Sequence, residues 1–293
     1  MVRVSSSLLL AGVLALPGAG FSAAAQAPTN PYDTLQRDLA REASRTRGTR
    51  GDLALYELWA NVDDASPEAT RAGLEAVMTA RQAPLARRDY AATLRARQAV
   101  REGDLAGARE RTRELGFVGE WQIAGPFDDE GKRGFARAFR PETVAATDAL
   151  PLDDRYVGKE REVGWRPAAD LGPLGYVDLG AMLRPRTAVC AYAATTVESQ
   201  RAAPLTLHLG AGGALRACWN GEAVREDDAY RQPDPDRSAV TVMAQAGPNR
   251  LLVKVCAPPE GGFGFFLRLR DPRGRPAAAS VDASALPAAR AEG

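Results

Sequence analysis

The sequence predicts a two-part fold, with a small all-α domain over residues 26–116 followed by an antiparallel β-sandwich over residues 117–275. Apolar residues recur at helical spacing until about Leu115. After Gly116 they recur at every second position, which is the spacing of half-buried strands. The clearest strands surround Asn220-Gly221, a dipeptide typical of two-residue hairpin turns. These features indicate a multidomain α and β protein.

The N-terminus has the features of a secretory signal peptide. Arg3 precedes an apolar run at residues 8–16, and Ala23-Ala24-Ala25 matches the small-residue cleavage pattern. The apolar run is too short to span a bilayer. We therefore predict that residues 1–25 are removed and that the mature chain is exported without a membrane-spanning segment. The periplasm, the cell surface and the medium all agree with this pattern.

Four helices are predicted in the first domain, and each has a recognisable start. Asp52 is expected to cap the first helix and Ser66 the second, whose Pro67 suits the first helical position. The third helix follows Pro84, and Asp104 is expected to cap the fourth.

Residues 99–114, AVREGDLAGARERTRE, resemble the inter-helix turn and second helix of a tetratricopeptide-type hairpin. In such hairpins small residues, here Ala106 and Ala108, let the helices approach closely. The resemblance implies a tetratricopeptide-like helical domain but covers a single repeat unit. A generic helical bundle is the alternative that the same residues allow.

Short strands at regular spacing make up the second domain. The first, at residues 121–127, is expected to stop at Pro126, and residues 134–172, which are interrupted by Pro and Gly, do not allow strands to be placed. Further strands are predicted at residues 176–179, 189–197, 205–209, 214–219, 240–244, 251–256 and 265–270. This pattern is typical of an antiparallel sandwich. Residues 276–293 are rich in Ala, Pro and Gly, which predicts a disordered tail.

Residues 205–226 predict a three-stranded meander around which the sandwich is built. Leucine alternates with polar residues in its first strand, and four small residues at 210–213 are expected to reverse the chain. Trp219 is expected on the core face of the second strand. Asn220-Gly221 then predicts a type I′ turn into the third strand.

The ordered segments of this domain are WQIAGPF, GYVDLG, AVCAYAATTVES, LTLHLGAGGALRACWNGEAV, AVTVMAQAGPNRLLVKV and GFFLRLRDPRG. Together they resemble the galactose-binding-domain-like jelly roll, found as the sugar-binding domain of some glycoside hydrolases. The resemblance implies about eight strands in two sheets and an accessory carbohydrate-binding or structural role. Related domains often carry acidic residues in the turn that here reads Ala211-Gly212-Gly213, which puts a ligand contact there in doubt.

The signal peptide, helical part and sandwich together resemble the N-terminal part of large exported bacterial proteins. Those proteins continue into tetratricopeptide repeats and a transglutaminase-like domain.

The charge balance excludes one class of function. With 38 Lys and Arg against 37 Asp and Glu, the chain lacks the basic surface on which nucleic-acid binding depends.

The cysteines predict a disulfide rather than a metal site or a nucleophile. Zinc is not expected, because no two cysteines form the closely spaced pair of a zinc knuckle. Export favours a disulfide, and Cys190 with Cys256 is the predicted pair because Cys218 lies in the tight hairpin. His208 is expected to be solvent-exposed. The chain carries no nucleophile elbow, phosphate-binding loop or dinucleotide fingerprint, so no catalytic residue and no enzyme activity are predicted.

Two acidic loops are the predicted ligand-binding elements. The candidate residues are Asp128, Asp129, Glu130, Asp227, Asp228, Tyr230 and Arg231. Their carboxylates, together with those of Asp234 and Asp236, could bind calcium. These runs could equally be solvated turns, and no other cofactor is expected. Tyr230 is expected to form an exposed platform for a sugar ring.

The predicted function is that of an exported, non-catalytic binding or scaffold module that recognises carbohydrate or a cell-envelope partner. The alternative is a structural spacer at the N-terminal end of a larger multidomain protein.

Overall fold

The computed structural model describes residues 30–168 and 172–287. The predicted signal peptide, residues 1–25, lies outside this part of the chain, as do residues 288–293 of the predicted tail. No helix within the described ranges is both long and apolar enough to cross a membrane.

Five helices form the N-terminal domain in the described part of the chain. They are α1 (Pro31–Arg45), α2 (Thr49–Ala60), α3 (Pro67–Thr79), α4 (Leu85–Arg101) and α5 (Leu105–Glu114). Helix α1 precedes the four predicted helices. The predicted caps Ser66 and Asp104 are confirmed, because their side chains accept hydrogen bonds from the N–H groups of Ala69 and Gly107.

Helix α2 begins ahead of Asp52, so the prediction that Asp52 caps it is wrong. Gly48 occupies the N-cap position. Asp52 lies in the first turn and accepts a 2.7 Å hydrogen bond from Nε of Arg87. The same buried guanidinium donates to the carbonyl oxygens of Ala43 and Thr46, at 2.8 and 2.5 Å. Arg87 on α4 therefore hydrogen-bonds backbone carbonyl oxygens at the C-terminal end of α1. Asp52 pairs with this guanidinium and does not cap α2.

Twelve strands form a sandwich of two antiparallel sheets in the described residues. They are β1 (Gln122–Asp128), β2 (Arg155–Val157), β3 (Glu162–Pro167), β4 (Tyr176–Asp178), β5 (Val189–Ser199), β6 (Ala203–Gly212), β7 (Ala214–Trp219), β8 (Glu222–Asp227), β9 (Ser238–Ala244), β10 (Gly247–Cys256), β11 (Gly264–Arg270) and β12 (Ala279–Asp282). The larger sheet has the order β2-β3-β1-β5-β10-β7-β8, with β12 also paired to β5. The smaller sheet has the order β4-β11-β6-β9.

The core lies between the two sheets and is formed by alternate residues of their strands. The rings of Trp121 and Phe265 meet edge to face across it, with centroids 5.1 Å apart. Trp219 is on the core face, as predicted, and its Nε1 donates a 2.9 Å hydrogen bond to the carbonyl oxygen of Met243. The indole thereby links the two sheets.

The predicted three-stranded meander is only half correct. Strands β7 and β8 form the hairpin, and Asn220 and Gly221 have the positive φ values, 49° and 87°, of the expected turn. Strand β6, however, pairs with β9 and β11 rather than with β7. The prediction that residues 210–213 reverse the chain is wrong, because residues 210–212 stay paired with β11 in β6 and only Gly213 separates β6 from β7 in the other sheet. Alternating leucines indicate which face of β6 is buried, and they do not indicate the partner strand.

A second layer covers the outer face of the larger sheet. It contains a short helix, α6 (Arg140–Thr143), and is flanked by β2 and β3, which form one edge of that sheet in the region where no strand was placed. Aromatic side chains pack beneath it, with ring centroids of Phe127 and Phe139 4.8 Å apart and Trp165 Nε1 donating to the Tyr156 hydroxyl at 2.8 Å. Strand β5 is consequently buried on both faces.

Strand β1 passes through Pro126, so the prediction that this proline stops the strand is wrong. Strand β1 pairs with β5 on both sides of Pro126, and the register shifts between Ala124 and Phe127. An irregularity of this kind is where a proline, which lacks an N–H donor, can be accommodated in a paired strand.

The tail predicted to be disordered contains a strand. Residues 279–282 form β12, which pairs with residues 196–199 at the end of β5. Gln122 Nε2 also donates a 2.8 Å hydrogen bond to the carbonyl oxygen of Ala283. An Ala- and Pro-rich composition therefore does not prevent this segment from extending the larger sheet.

Gly221→Val is expected to destabilise the sandwich by about 1–3 kcal/mol. A β-branched residue is disfavoured at φ 87°, and a Cβ at this position would lie 3.2 Å from Cβ of Ala146. Thermal unfolding measures the loss. The matched control is Glu222→Val, which puts the same side chain at the adjacent exposed strand position and should change stability by no more than about 0.5 kcal/mol. Equal melting temperatures for the two variants would contradict the assigned turn.

Candidate functional site

The two predicted acidic loops lie at the same end of the sandwich. Lys132, which follows Asp128–Glu130, places its Nζ 4.1 Å from the ring centroid of Tyr230 in the other loop. Burial raises the pKa of Tyr230 to about 12, and the charge of nearby Asp129 adds to the effect. Tyr230 also packs against the cluster around the Cys190–Cys256 disulfide. The expectation of an exposed sugar platform is therefore wrong for Tyr230.

The carboxylates of these loops already have partners within the protein. Asp129 is buried and accepts a 2.7 Å hydrogen bond from the Gly134 N–H. Glu130 accepts one of 2.6 Å from Lys159 Nζ, which also lies 3.7 Å from Asp128. In the second loop the Arg231 guanidinium donates to both carboxylate oxygens of Asp227, at 2.9 and 3.1 Å. Asp228 remains exposed. The loops are thus held by protein cations in the places where calcium would need free oxygen ligands.

Cys190 and Cys256 form a disulfide across directly opposed positions of β5 and β10. Asp129 lies beside it, with its carboxylate oxygen and both sulfur atoms within 4.8 Å of one another. The sulfur atoms are not thiolates and so do not make this group a metal site. Cys218 is free and buried, and burial raises the pKa of its thiol to about 11.

The small residues 210–213, where a ligand contact was in doubt, are covered by other parts of the chain. A Cβ on Gly210 would lie 1.7 Å from the carbonyl oxygen of Asp234, and one on Gly212 would lie 1.8 Å from that of Gly262. Backbone carbonyl groups therefore pack directly against these glycines and leave no room for a side chain at either position.

A cleft of about 740 Å³ separates α4 from the outer face of the smaller sheet. Polar groups converge on it from both domains, which makes it the strongest candidate site. Its polar and aromatic lining residues are Asp89, Tyr90, Thr93, Arg97, Phe117, His208, Asp234, Asp236, Arg268, Arg270 and Arg273. The helix residues 89, 93 and 97 share one face of α4, and residues 208, 268 and 270 share the outward face of β6 and β11.

Two ion pairs lie among the residues that line the cleft. Arg268 donates through Nε to Asp236 at 2.6 Å and through Nη2 to the other oxygen of the same carboxylate. Arg270, which is 1% exposed, places Nη1 2.7 Å from Asp89 Oδ2. Since Asp89 is on α4 and Arg270 on β11, the second pair joins the helical domain to the sandwich.

His208 lies in this cleft and is half-buried, so the expectation of a solvent-exposed histidine is wrong. Its Nδ1 is 3.7 Å from Asp236 Oδ1. Burial lowers the pKa of His208, with Arg268 and Arg270 acting in the same direction and Asp236 in the opposite one. The imidazole is therefore neutral at pH 7 and offers one hydrogen-bond donor and one acceptor.

Sequence-based prediction missed this cleft, although one signal for it was present. In the segment LRLR the leucines at 267 and 269 face the core, so Arg268 and Arg270 must share the outer face. The same alternation puts His208 outward on β6. Nothing in the sequence indicated that α4 lies over this face.

No protein-family model matches the sequence, and no curated protein matches it. Among solved structures it is similar to a beta-glucosidase from Kluyveromyces marxianus in complex with glucose, with 14% identity and a TM-score of 0.30 over 51% of this chain. The chain spans 15% of that enzyme. It is also similar to a PA14 sugar-binding domain from an RTX adhesin, with 15% identity and a TM-score of 0.31 over 56% of this chain and 93% of that domain. Similarities this low do not establish a common function, and the assignment of a sandwich rests on its own sheet order.

Proposed function

We propose that this protein is an exported, non-catalytic binding module and that the cleft between α4 and the smaller sheet binds a carbohydrate. The observation that carries the proposal is the convergence of polar groups from two domains on one cavity of about 740 Å³. Carboxylates and guanidinium groups can hydrogen-bond several hydroxyls of a sugar at once. Tyr90, with 44% of its surface exposed, offers an aromatic face at the edge.

The contacts within the cleft favour binding of a glycan over its hydrolysis. A general acid must be protonated at the working pH. Burial raises the pKa of Asp89, but its carboxylate lies 2.7 Å from Arg270 Nη1, and Asp236 accepts two hydrogen bonds from Arg268. Thr93 is a poor nucleophile here, because its hydroxyl donates a 3.0 Å hydrogen bond to the Asp89 carbonyl oxygen within its own helix. No serine or cysteine is among the described residues that line the cleft. These contacts support binding rather than catalysis.

Tyr90→Ala is expected to weaken glycan binding by about tenfold, equivalent to about 1.4 kcal/mol. The reason is the loss of the aromatic face at the cleft. The measurement is a glycan-array screen of the mature chain followed by calorimetric titration of the glycan that binds best. The matched control is Tyr56→Ala, which removes a tyrosine of 63% exposure on α2, away from the cleft.

Unchanged binding by Tyr90→Ala, or the same loss with Tyr56→Ala, would place the ligand elsewhere. Absence of glycan binding at millimolar ligand would instead favour the structural-spacer function.

A further inference from the structure

Given the proposed function of the cleft, we infer that its ligand is an acidic saccharide whose carboxylate is bound by Arg97 and Arg273. Arg97 is on α4 in the helical domain, and Arg273 follows β11 in the sandwich. Both line the cleft. A ligand carboxylate bound between them would therefore contact both domains.

The two arginines differ from the other cations of the cleft in having no acidic partner. Arg268 is paired with Asp236 and Arg270 with Asp89. Within residues 30–168 and 172–287, neither Arg97 nor Arg273 forms a side-chain ion pair or hydrogen bond. Arg273 is exposed and Arg97 is partly buried. Both guanidinium groups thus keep their planar set of N–H donors, which matches the two oxygens of a carboxylate.

The charge balance of the cleft favours an anionic ligand. The lining contains four arginines, Arg97, Arg268, Arg270 and Arg273, against three aspartates, Asp89, Asp234 and Asp236. Asp234 lies 3.9 Å from a further arginine, Arg237, so it does not neutralise the two unpaired ones. Arg97 and Arg273 therefore leave two positive charges in the cleft without acids, and carboxylates of an acidic saccharide would balance them.

The remaining groups suit the hydroxyls of the same ligand. His208 lies on β6, directly opposite Arg268 on β11 and directly opposite Ala239 on β9. Its imidazole and the Asp236 carboxylate form the sheet wall, and Tyr90 lies on the helix wall. An acidic sugar bound by Arg97 and Arg273 would therefore also find donors and acceptors along its ring.

Calorimetric titration of the mature chain with oligogalacturonate and with its neutral methyl ester tests the inference. We expect the acid to bind at least tenfold more tightly than the ester at low ionic strength. The advantage should shrink as salt is added, because the arginines at the cleft edge are screened. Arg97→Gln and Arg273→Gln should each reduce the affinity for the acid severalfold and leave the affinity for the ester unchanged. The control, Arg47→Gln, removes an exposed arginine outside the cleft and should leave both affinities unchanged.

The outcomes separate the inference from the proposed function. Equal affinity for the acid and the ester, with Tyr90→Ala weakening both, would overturn the inference and leave the proposed function standing. Absence of binding to either probe and to every glycan of the array would overturn both. Tighter binding of a phosphorylated saccharide than of oligogalacturonate would overturn the assignment of a carboxylate.

Discussion

Glu142→Gln is expected to lower the free energy of unfolding by about 3–5 kcal/mol, because it leaves the buried Lys254 without its acid and removes one of the two acids that pair with Arg216. Glu142 Oε2 accepts hydrogen bonds from the Tyr192 hydroxyl at 2.6 Å and from Lys254 Nζ at 3.2 Å, and Oε1 accepts one from Arg216. The side chain of Lys254 is 1% exposed. Its ammonium also donates to the carbonyl oxygen of Arg137 at 2.6 Å, so it cannot leave without releasing the layer that covers the larger sheet. Urea unfolding measures the change.

Two further variants separate the loss of charge from the loss of contact. Glu226→Gln is the control, because Glu226 forms an ion pair with Arg216, with Oε1 2.6 Å from Nε, but its side chain is 52% exposed. It should cost no more than about 1 kcal/mol. Combining Glu142→Gln with Lys254→Met removes the uncompensated ammonium and should recover part of the lost stability. If Glu142→Gln and Glu226→Gln proved equally mild, the buried network would not be what holds this layer.

The stability that Glu142 contributes should also decrease at acidic pH. Burial by itself would raise the pKa of Glu142. Hydrogen bonds from Tyr192 and Arg216, together with the positive charges of Lys254 and Arg216, outweigh burial and hold the pKa below its ordinary value. A carboxyl with a lowered pKa in the folded state contributes stability above its unfolded pKa of about 4.3 and loses it as the pH falls through the folded value. The difference between wild type and Glu142→Gln should therefore be constant near neutral pH and shrink below about pH 4.

The starts of helices and the hairpin turn were predicted well where a single residue type determines the local backbone conformation. Ser66 and Asp104 start helices through a hydrogen bond that each makes within its own first turn. Asn220 and Gly221 turn the chain because both adopt positive φ. Asp52 looked like a cap by the same criteria, but its partner Arg87 lies in another helix. Residue type indicates a cap only when no distant cation competes for the carboxylate.

Long-range pairing escaped prediction because the relevant partners are far apart in the chain. Strand β12 extends β5 from a segment about 80 residues away whose composition resembles a linker. The acidic loops were recognised, whereas the cations that occupy them, Lys159 and Arg231, could not be assigned from spacing. The cleft was missed for the same reason, because it joins Asp89 of α4 to Arg270 of β11. Alternation indicates the face on which a side chain lies and leaves open what lies opposite that face.

Reduction of the Cys190–Cys256 disulfide is expected to lower the free energy of unfolding by roughly 4 kcal/mol. The bond joins residues 66 positions apart and therefore restricts a long loop of the unfolded chain. Urea unfolding with and without reductant measures the difference. Cys218→Ala is the control. Its thiol, with a pKa raised to about 11, stays protonated at neutral pH and does not attack the disulfide, so this variant should respond to reductant like the wild type. Coincident unfolding curves of the oxidised and reduced wild-type protein would show that the disulfide contributes little. A large difference supports the proposal that the protein works in an oxidising compartment, where such a bond persists.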